Sequence, residues 1–115
     1  MKQGRRTTIG IEVVDGTTNV FADLGYPDAV ERQTKTRLAL AINTLIKQRK
    51  LRQADAGKLL GIPQSKVSLL VNYRLGHFSV EKLIEFLTAL DRDVEISIRP
   101  RREKGGGEVS VVTVS

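Results

Sequence analysis

Apolar residues recur every three or four positions in two long stretches of this 115-residue chain, and this period predicts amphipathic α-helices. The first predicted helix begins at Pro27-Asp28 and runs to about Lys50, with a largely polar first half. The second begins after Ser79, which suits an N-cap, and ends at Leu90. The apolar positions are Val30, Leu38, Ala41, Ile42 and Leu45 in the first helix and Val80, Leu83, Ile84, Leu87 and Leu90 in the second. Each stripe should face a shared core.

The stretch Leu51–Asn72, between these helices, has the pattern of two short helices joined by a tight turn. We expect the first at Gln53–Leu60 and the second at about Gln64–Asn72. Gly61 suits a turn that requires a positive φ. Pro63 suits the first position of the second helix, because its missing N–H costs nothing there. This is the arrangement of a helix-turn-helix, whose second helix can lie in the major groove of DNA.

Gly57 lies in the middle of the first short helix, where glycine costs about 1 kcal/mol relative to alanine. That cost predicts a close helix crossing that even a small side chain would crowd. The apolar residues expected to pack the two short helices together are Leu59, Leu60, Ile62, Val67 and Leu70.

Alternating apolar and polar residues predict β-strands near both ends of the chain. One strand is expected at residues 8–14 and another at Val94–Ile98, which Pro100 stops. Residues 108–115 are strand-like, although an unstructured tail is the alternative. These strands could form a small sheet within one chain or across a dimer. Residues 17–26 should form a short segment, with about one helical turn, that lies against the domain.

Positive charge is concentrated on the two-helix unit. The net charge is +6, and residues 49–77 contain six Lys or Arg against one acid, Asp55. A basic balance suits an anionic partner, either nucleic acid or a membrane surface. The position of the charge favours DNA.

Several function classes have little support in the residues. The chain has no cysteine and one histidine, so disulfides and thiolate- or histidine-based metal sites are not expected. It contains no apolar run of about 18 residues and no signal-peptide pattern, which predicts a cytoplasmic protein. No nucleophile–base pair or phosphate-cradling loop is evident, so we expect neither an enzyme nor a bound cofactor.

The segment from Asn19 to Pro100 resembles XRE-type regulators of the HigA antitoxin kind. The matching stretches are NVFADLGYPDA, LRQADAGKLLGIPQSKVSLL, RLGHFSVEKL and LTALDRDVEISIRP. The chain accordingly divides into an N-terminal basic arm and strand at 1–18, an XRE-type helix-turn-helix domain with a C-terminal strand at 19–100, and a charged Gly-rich linker with a strand-like tail at 101–115. Gly57 and Pro63 depart from the family pattern, which usually has alanine at the first position and serine or threonine at the second.

The resemblance implies a mainly α, lambda-repressor-like helix-turn-helix bundle of four to five helices with short flanking β-strands. It also implies a homodimer on a palindromic operator that represses its own operon. A RelE- or HigB-like toxin that cleaves mRNA would be the protein partner, with the N-terminal segment or the polar half of the long helix as candidate contacts. The alternatives are a plain XRE-family repressor without a toxin, or a protein-interaction module that binds DNA weakly.

By the family motif, the DNA contacts fall on the two short helices and the residues next to them. Gln53 should contact a phosphate, whereas the second helix should supply both base and phosphate contacts. The expected base-reading residues are Gln64, Ser65 and Ser68, and the expected phosphate contacts are Lys66, Asn72 and Arg74, with Arg52 and Lys50 as weaker candidates. A solvated helix face is the alternative for each.

Aromatic residues and the dimer surface give further predictions. Tyr73 and Phe78 are expected in the core, and His77 should pack or cap locally. Phe86 falls to one side of its helix stripe, so it could complete the core or contact a second subunit. The Val94–Ile98 strand and the last helix are the candidate dimer surface.

Overall fold

A computed structural model describes residues 28–114 of the chain. Within these residues the regular structure consists of four α-helices and one short 3₁₀ helix: α1 at Asp28–Gln48, α2 at Gln53–Leu60, α3 at Gln64–Val71, the 3₁₀ helix at Leu75–His77 and α4 at Val80–Ala89. The predicted helices are confirmed, and the bounds of α2 agree with the prediction to the residue. The 3₁₀ helix occupies a segment with no predicted element.

The core lies where α1 packs against α4, with the α2–α3 pair packed beside them. Its largest fully buried side chains are Phe86, Ile42, Leu70, Leu83, Leu90 and Val67. The helical stripe predicted for α1 is confirmed at Leu38, Ile42 and Leu45, but it is too narrow. Ala39 and Ile46 are buried as well, because α1 contacts both α3 and α4.

Leu59 and Tyr73 are the two apolar predictions that the structure contradicts. Leu59 was expected to pack α2 against α3, yet it is 46% exposed, because Ala56 and Leu60 occupy the inner face of α2. Tyr73 was expected in the core, but it is 42% exposed at a left-handed backbone position (φ 58°) just after α3.

Phe86 completes the core of a single chain and is 2% exposed. Its ring meets that of Phe78 edge-on, with centroids 5.8 Å apart and an interplanar angle of 75°, a favourable arrangement for two aromatic rings. Phe78 is buried as predicted. Phe86 is therefore unavailable as the dimer contact that was its alternative role.

The ends of α1 and α4 are joined by Arg49. Its guanidinium donates a hydrogen bond to the carbonyl of Leu90, the C-cap of α4, and its Nη1 lies 3.8 Å from Oδ2 of Asp91. At the start of α4, Ser79 Oγ accepts a hydrogen bond from the Lys82 N–H at 3.0 Å, which confirms the predicted N-cap.

The predicted C-terminal strands do not form among residues 28–114. Val94–Ile98 and residues 108–114 have no strand partner within 28–114, and no backbone hydrogen bond among the described residues involves residues 93–114. A period of two shows that a segment could pair, but a strand forms only where a partner edge is available. The strand predicted at 8–14, the segment 17–26 and Ser115 lie outside the described residues.

None of the helices within residues 28–114 combines the length and apolarity that crossing a membrane would require.

Candidate nucleic-acid interface

The turn between α2 and α3 folds back onto α2 at Gly57. The N–H groups of Gly61 and Ile62 both donate to the Gly57 carbonyl. A Cβ at residue 57 would lie 2.7 Å from the Ile62 carbonyl oxygen and 3.5 Å from Val67 Cγ2. Gly61 has φ 73°, the left-handed value predicted for it. The predicted close approach is confirmed, although the nearest neighbour is the backbone of the turn.

The start of α3 carries exposed groups and no negative charge. Pro63 is the N-cap of α3 and not its first residue, and its carbonyl accepts from the N–H groups of Lys66 (2.9 Å) and Val67 (3.1 Å). No side chain caps this end, and its first turn contains no acid. The free N–H groups and the positive end of the helix dipole therefore suit an anion such as a DNA phosphate.

The inner side of α3 is fixed to the core by Val67 and Leu70, both fully buried. Asn43 of α1 adds a polar contact, because its Nδ2 donates to the Leu70 carbonyl at 3.1 Å. Sequence reasoning missed Asn43 as a positioning residue. The signal was present, because this amide follows Ile42 within the apolar half of α1.

The outer side of α3 exposes Gln64, Ser65 and Lys66. Ser68 is half-buried. Asn72 is exposed, and its Nδ2 donates to the Ser68 carbonyl at 2.8 Å. The Asn72 side chain is therefore folded against its own helix, with one amide hydrogen and the Oδ1 atom left for other partners.

A shallow open concavity at the C-terminal end of α3 brings together three of the predicted contact residues, Ser68, Asn72 and Arg74, beside Leu69. The chain reverses direction here through the left-handed Tyr73. The Arg74 N–H donates to the Leu69 carbonyl at 2.9 Å. This backbone hydrogen bond holds Arg74 close to α3, and the Arg74 side chain is exposed.

The start of α2 presents the remaining predicted contacts. Arg52 is its exposed N-cap residue, and its carbonyl accepts from the Ala56 N–H at 2.8 Å. Gln53 is the half-buried first residue, and Lys50 is exposed in the preceding turn. Gln53 and Arg52 therefore lie at a helix N-terminus, where an anion is favoured.

A second concavity places Lys66 beside two basic side chains outside α3, His77 and Lys82, with Ile62, Phe78, Ser79 and Phe86 completing its lining. Sequence reasoning did not include Lys82 among the contacts. Lys82 Nζ lies 3.3 Å from Glu85 Oε1 and 5.9 Å from the centroid of the Phe86 ring. Its proximity to α3 depends on tertiary packing, so no local pattern indicates it.

The positive charge of this surface is largely uncompensated. Among residues 28–114, neither the exposed Lys50 and Arg52 nor Lys58, Lys66 and Arg74 form an ion pair. Arg49, by contrast, is paired with Asp91. Unpaired cations attract a polyanion through long-range electrostatics.

Among the described residues, no group of three or more His, Asp or Glu side chains is placed so that it could hold a metal ion.

Comparison with known proteins gives two similarities. Residues 20–99 match a family described as a helix-turn-helix domain. A solved structure named "Putative XRE Family Transcriptional Regulator" is 54% identical in sequence, with a TM-score of 0.73, and the alignment covers 76% of this chain and 100% of that chain. No curated protein matches the chain. The span 20–99 contains α2, α3 and every predicted contact residue.

Proposed function

The chain belongs to the helix-turn-helix domain family, and on that premise we propose that it is the DNA-binding antitoxin of a HigBA-like toxin–antitoxin pair. A DNA-binding, XRE-type transcriptional regulator is the function that the family match and the similar structure support. The proposal adds three points. The chain works as a homodimer, it represses its own operon, and it neutralises a RelE-like mRNA-cleaving toxin by binding and not by catalysis.

The observation that carries DNA reading is the two-sided character of α3. Val67 and Leu70 hold one side in the core, and this leaves Gln64 and Ser65 exposed at the end of the helix. In the proposed complex this end enters the major groove. Gln64 makes two hydrogen bonds to an adenine edge, and Ser65 serves a neighbouring base, with Ser68 behind it.

Phosphate contacts surround the reading residues. Lys66 and Lys82 line one concavity next to α3, and Arg74 and Asn72 line the other. The start of α2 supplies Gln53 and the weaker candidates, including Arg52. Contacts of this kind fix the register of the protein on DNA but do not distinguish sequences.

A single copy reads few base pairs, because α3 has only eight residues. Two copies related by a two-fold axis would place their α3 helices in successive major grooves, roughly 34–36 Å apart. A palindromic operator matches that symmetry. The homodimer is therefore part of the proposal.

The antitoxin role rests on the stretches NVFADLG, FSVEKL and ALDRDVEI, which resemble HigA-type antitoxins. The first half of α1 offers a surface for a partner, since Arg32, Gln33, Thr36 and Arg37 are exposed there. Residues 1–27 are the other candidate segment.

The test combines two measurements on the full chain. DNA from upstream of its own gene should bind at least about 10³-fold more tightly than scrambled DNA of equal composition at fixed salt. A neighbouring RelE-like protein should co-purify with the chain, and co-expression should restore the growth that this protein stops. A truncation beginning at Asp28 then separates the two candidate segments.

The outcomes distinguish the alternatives. Specific DNA binding without co-purification supports a plain repressor. Co-purification without preference for the upstream DNA supports an interaction module. Loss of both would overturn the proposal.

A further inference from the structure

The segment that follows α4 leaves the domain from a fixed point. Leu90 is fully buried, and its carbonyl is bonded by Arg49 of α1. Asp91 takes a left-handed conformation (φ 65°), and the Arg92 N–H donates back to the Leu87 carbonyl at 3.0 Å. The position where the next residues emerge is therefore set by both α1 and α4.

Beyond this point the segment presents groups that have no partner in the described chain. Val94 packs against the core, but Ile96 is 38% exposed and Ile98 is 81% exposed. Glu95 and Arg99 are exposed and form no ion pair within residues 28–114. Apolar and charged residues alternate, so a strand conformation would place Ile96 and Ile98 on one face and both charges on the other.

We infer that Val94–Pro100 pairs antiparallel with the same segment of a second copy, with the two-fold axis at Ser97. In this register Ile96 lies opposite the partner's Ile98, and Glu95 lies opposite the partner's Arg99. Each contact occurs twice by symmetry. Opposite charges and large apolar side chains directly across an antiparallel pair stabilise it. The inference rests on the proposed homodimer and specifies its contact surface.

Charge complementarity favours the same segment of a second copy, over the other strand-like segments of this chain, as the strand that pairs with Val94–Pro100. Residues 8–14 carry one charge, Glu12, and residues 108–114 carry one, Glu108. Neither segment can neutralise both Glu95 and Arg99. Glu108 also already forms an ion pair, because its Oε2 lies 3.2 Å from Nη1 of Arg101.

The register centred on Ser97 is favoured over its neighbours. A shift to Ile96 as the centre would place Glu95 opposite the partner's Ser97, so neither copy's Glu95 would face an opposite charge. A shift to Ile98 would need Arg101 opposite Glu95, but Arg101 contacts Glu103 and Glu108.

Single cysteines test the register, because the chain contains no cysteine of its own. Ser97→Cys should form a disulfide-linked dimer under mild oxidation, since directly opposite Cα atoms lie about 4.5–5.5 Å apart. Glu95→Cys and Arg99→Cys are the matched controls. In this register each of these cysteines lies four residues, about 14 Å along the strand, from the same cysteine of the second copy. Neither variant should therefore cross-link.

Charge exchange tests the pairing without a covalent bond. Glu95→Arg places like charges opposite each other at two positions and should raise the dimer dissociation constant about tenfold in sedimentation. Arg99→Glu should have the same effect. The double variant Glu95→Arg/Arg99→Glu should restore the wild-type value, which a general folding defect would not do.

The results separate this inference from the proposed function. Cross-linking at Ser97→Cys with rescue by the double exchange supports the inference. A stable wild-type dimer with no cross-link at residue 97, or with faster cross-linking of Ile96→Cys, overturns the register and leaves the proposed homodimer standing. A wild-type monomer that binds its upstream DNA as a monomer overturns both.

Discussion

Asn43 of α1 donates through Nδ2 to the main-chain carbonyl of Leu70 at 3.1 Å, so the long helix holds the C-terminal end of α3. The same carbonyl accepts from the Tyr73 N–H at 3.1 Å. This contact links the core to the helix that presents the candidate DNA-reading face, and its contribution to stability can be measured.

Asn43→Ala should lower the free energy of unfolding by about 1 kcal/mol. The loss is modest, because the Leu70 carbonyl keeps its hydrogen bond from Tyr73. Urea titration followed by circular dichroism measures the change. Thr44→Ala, at the exposed next position, is the control and should stay within about 0.5 kcal/mol of wild type. Equal stability of the Asn43 variant and wild type would contradict this role.

Gly57→Ala should destabilise the domain although alanine favours helix formation. The helix gain is about 1 kcal/mol, but the new Cβ would lie 2.7 Å from the Ile62 carbonyl oxygen, a backbone atom that only a shift of the turn can move. Overpacking of this kind typically costs about 1–3 kcal/mol, so after the helix gain we expect a net loss of up to about 2 kcal/mol.

The control for this variant is Gly76→Ala in the 3₁₀ helix, where a Cβ would have no heavy atom within 4 Å. Both variants are compared with wild type by their urea midpoints. A Gly57→Ala protein that is more stable than wild type would show that the turn moves at little cost.

Local sequence signals predicted the helices well, because each signal acts within a few residues. Gly61 fixes the end of α2, Ser79 caps α4, and the period of three and four residues marks Ile42 and Leu83 as core. The error at Leu59 has a physical origin in the length of α2. Leu59 is apolar but lies on the outer side of a short helix, whose two turns carry too few positions to define its inner face.

The candidate site was only partly visible for a related reason. The α3 residues Gln64 to Ser68 follow from the motif, whereas Lys82 of α4 shares a concavity with Lys66 only because tertiary packing brings the two residues together. The strands predicted at Val94–Ile98 and 108–115 depended on a partner edge, which periodicity cannot supply. Alternation therefore indicates the capacity to pair and not the pairing itself.

Ser79→Ala should remove the cap of α4. Ser79 Oγ accepts from the Lys82 N–H at 3.0 Å, and no other side chain caps this end. Loss of such a cap costs about 1 kcal/mol. Ser110→Ala, at an exposed site without regular structure, is the control for thermal unfolding. Ser79→Gly should recover most of the loss, because glycine is nearly as good an N-cap. No recovery would indicate a role other than capping.

Lys82→Ala should weaken binding to all DNA alike if the concavity that it shares with Lys66 receives a phosphate. Loss of one phosphate contact should reduce the slope of log affinity against log salt by about 1. Lys104→Ala, at an exposed position of the Gly-rich linker, removes the same charge and is the control. Equal salt slopes for the two variants would exclude Lys82 from the interface.

Gln64→Ala and Lys66→Ala should affect operator binding in different ways. Gln64 is exposed at the first position of α3, and its amide is suited to pair with adenine, so its loss should cost about 1–3 kcal/mol on the cognate operator and relax one base position. Lys66→Ala should weaken cognate and scrambled DNA equally and reduce the salt slope by about 1. Gln33→Ala, on the exposed side of α1, is the matched control. Fluorescence anisotropy at several salt concentrations measures all three variants. A Gln64 variant with wild-type operator affinity and unchanged base preference would remove that side chain from the reading face.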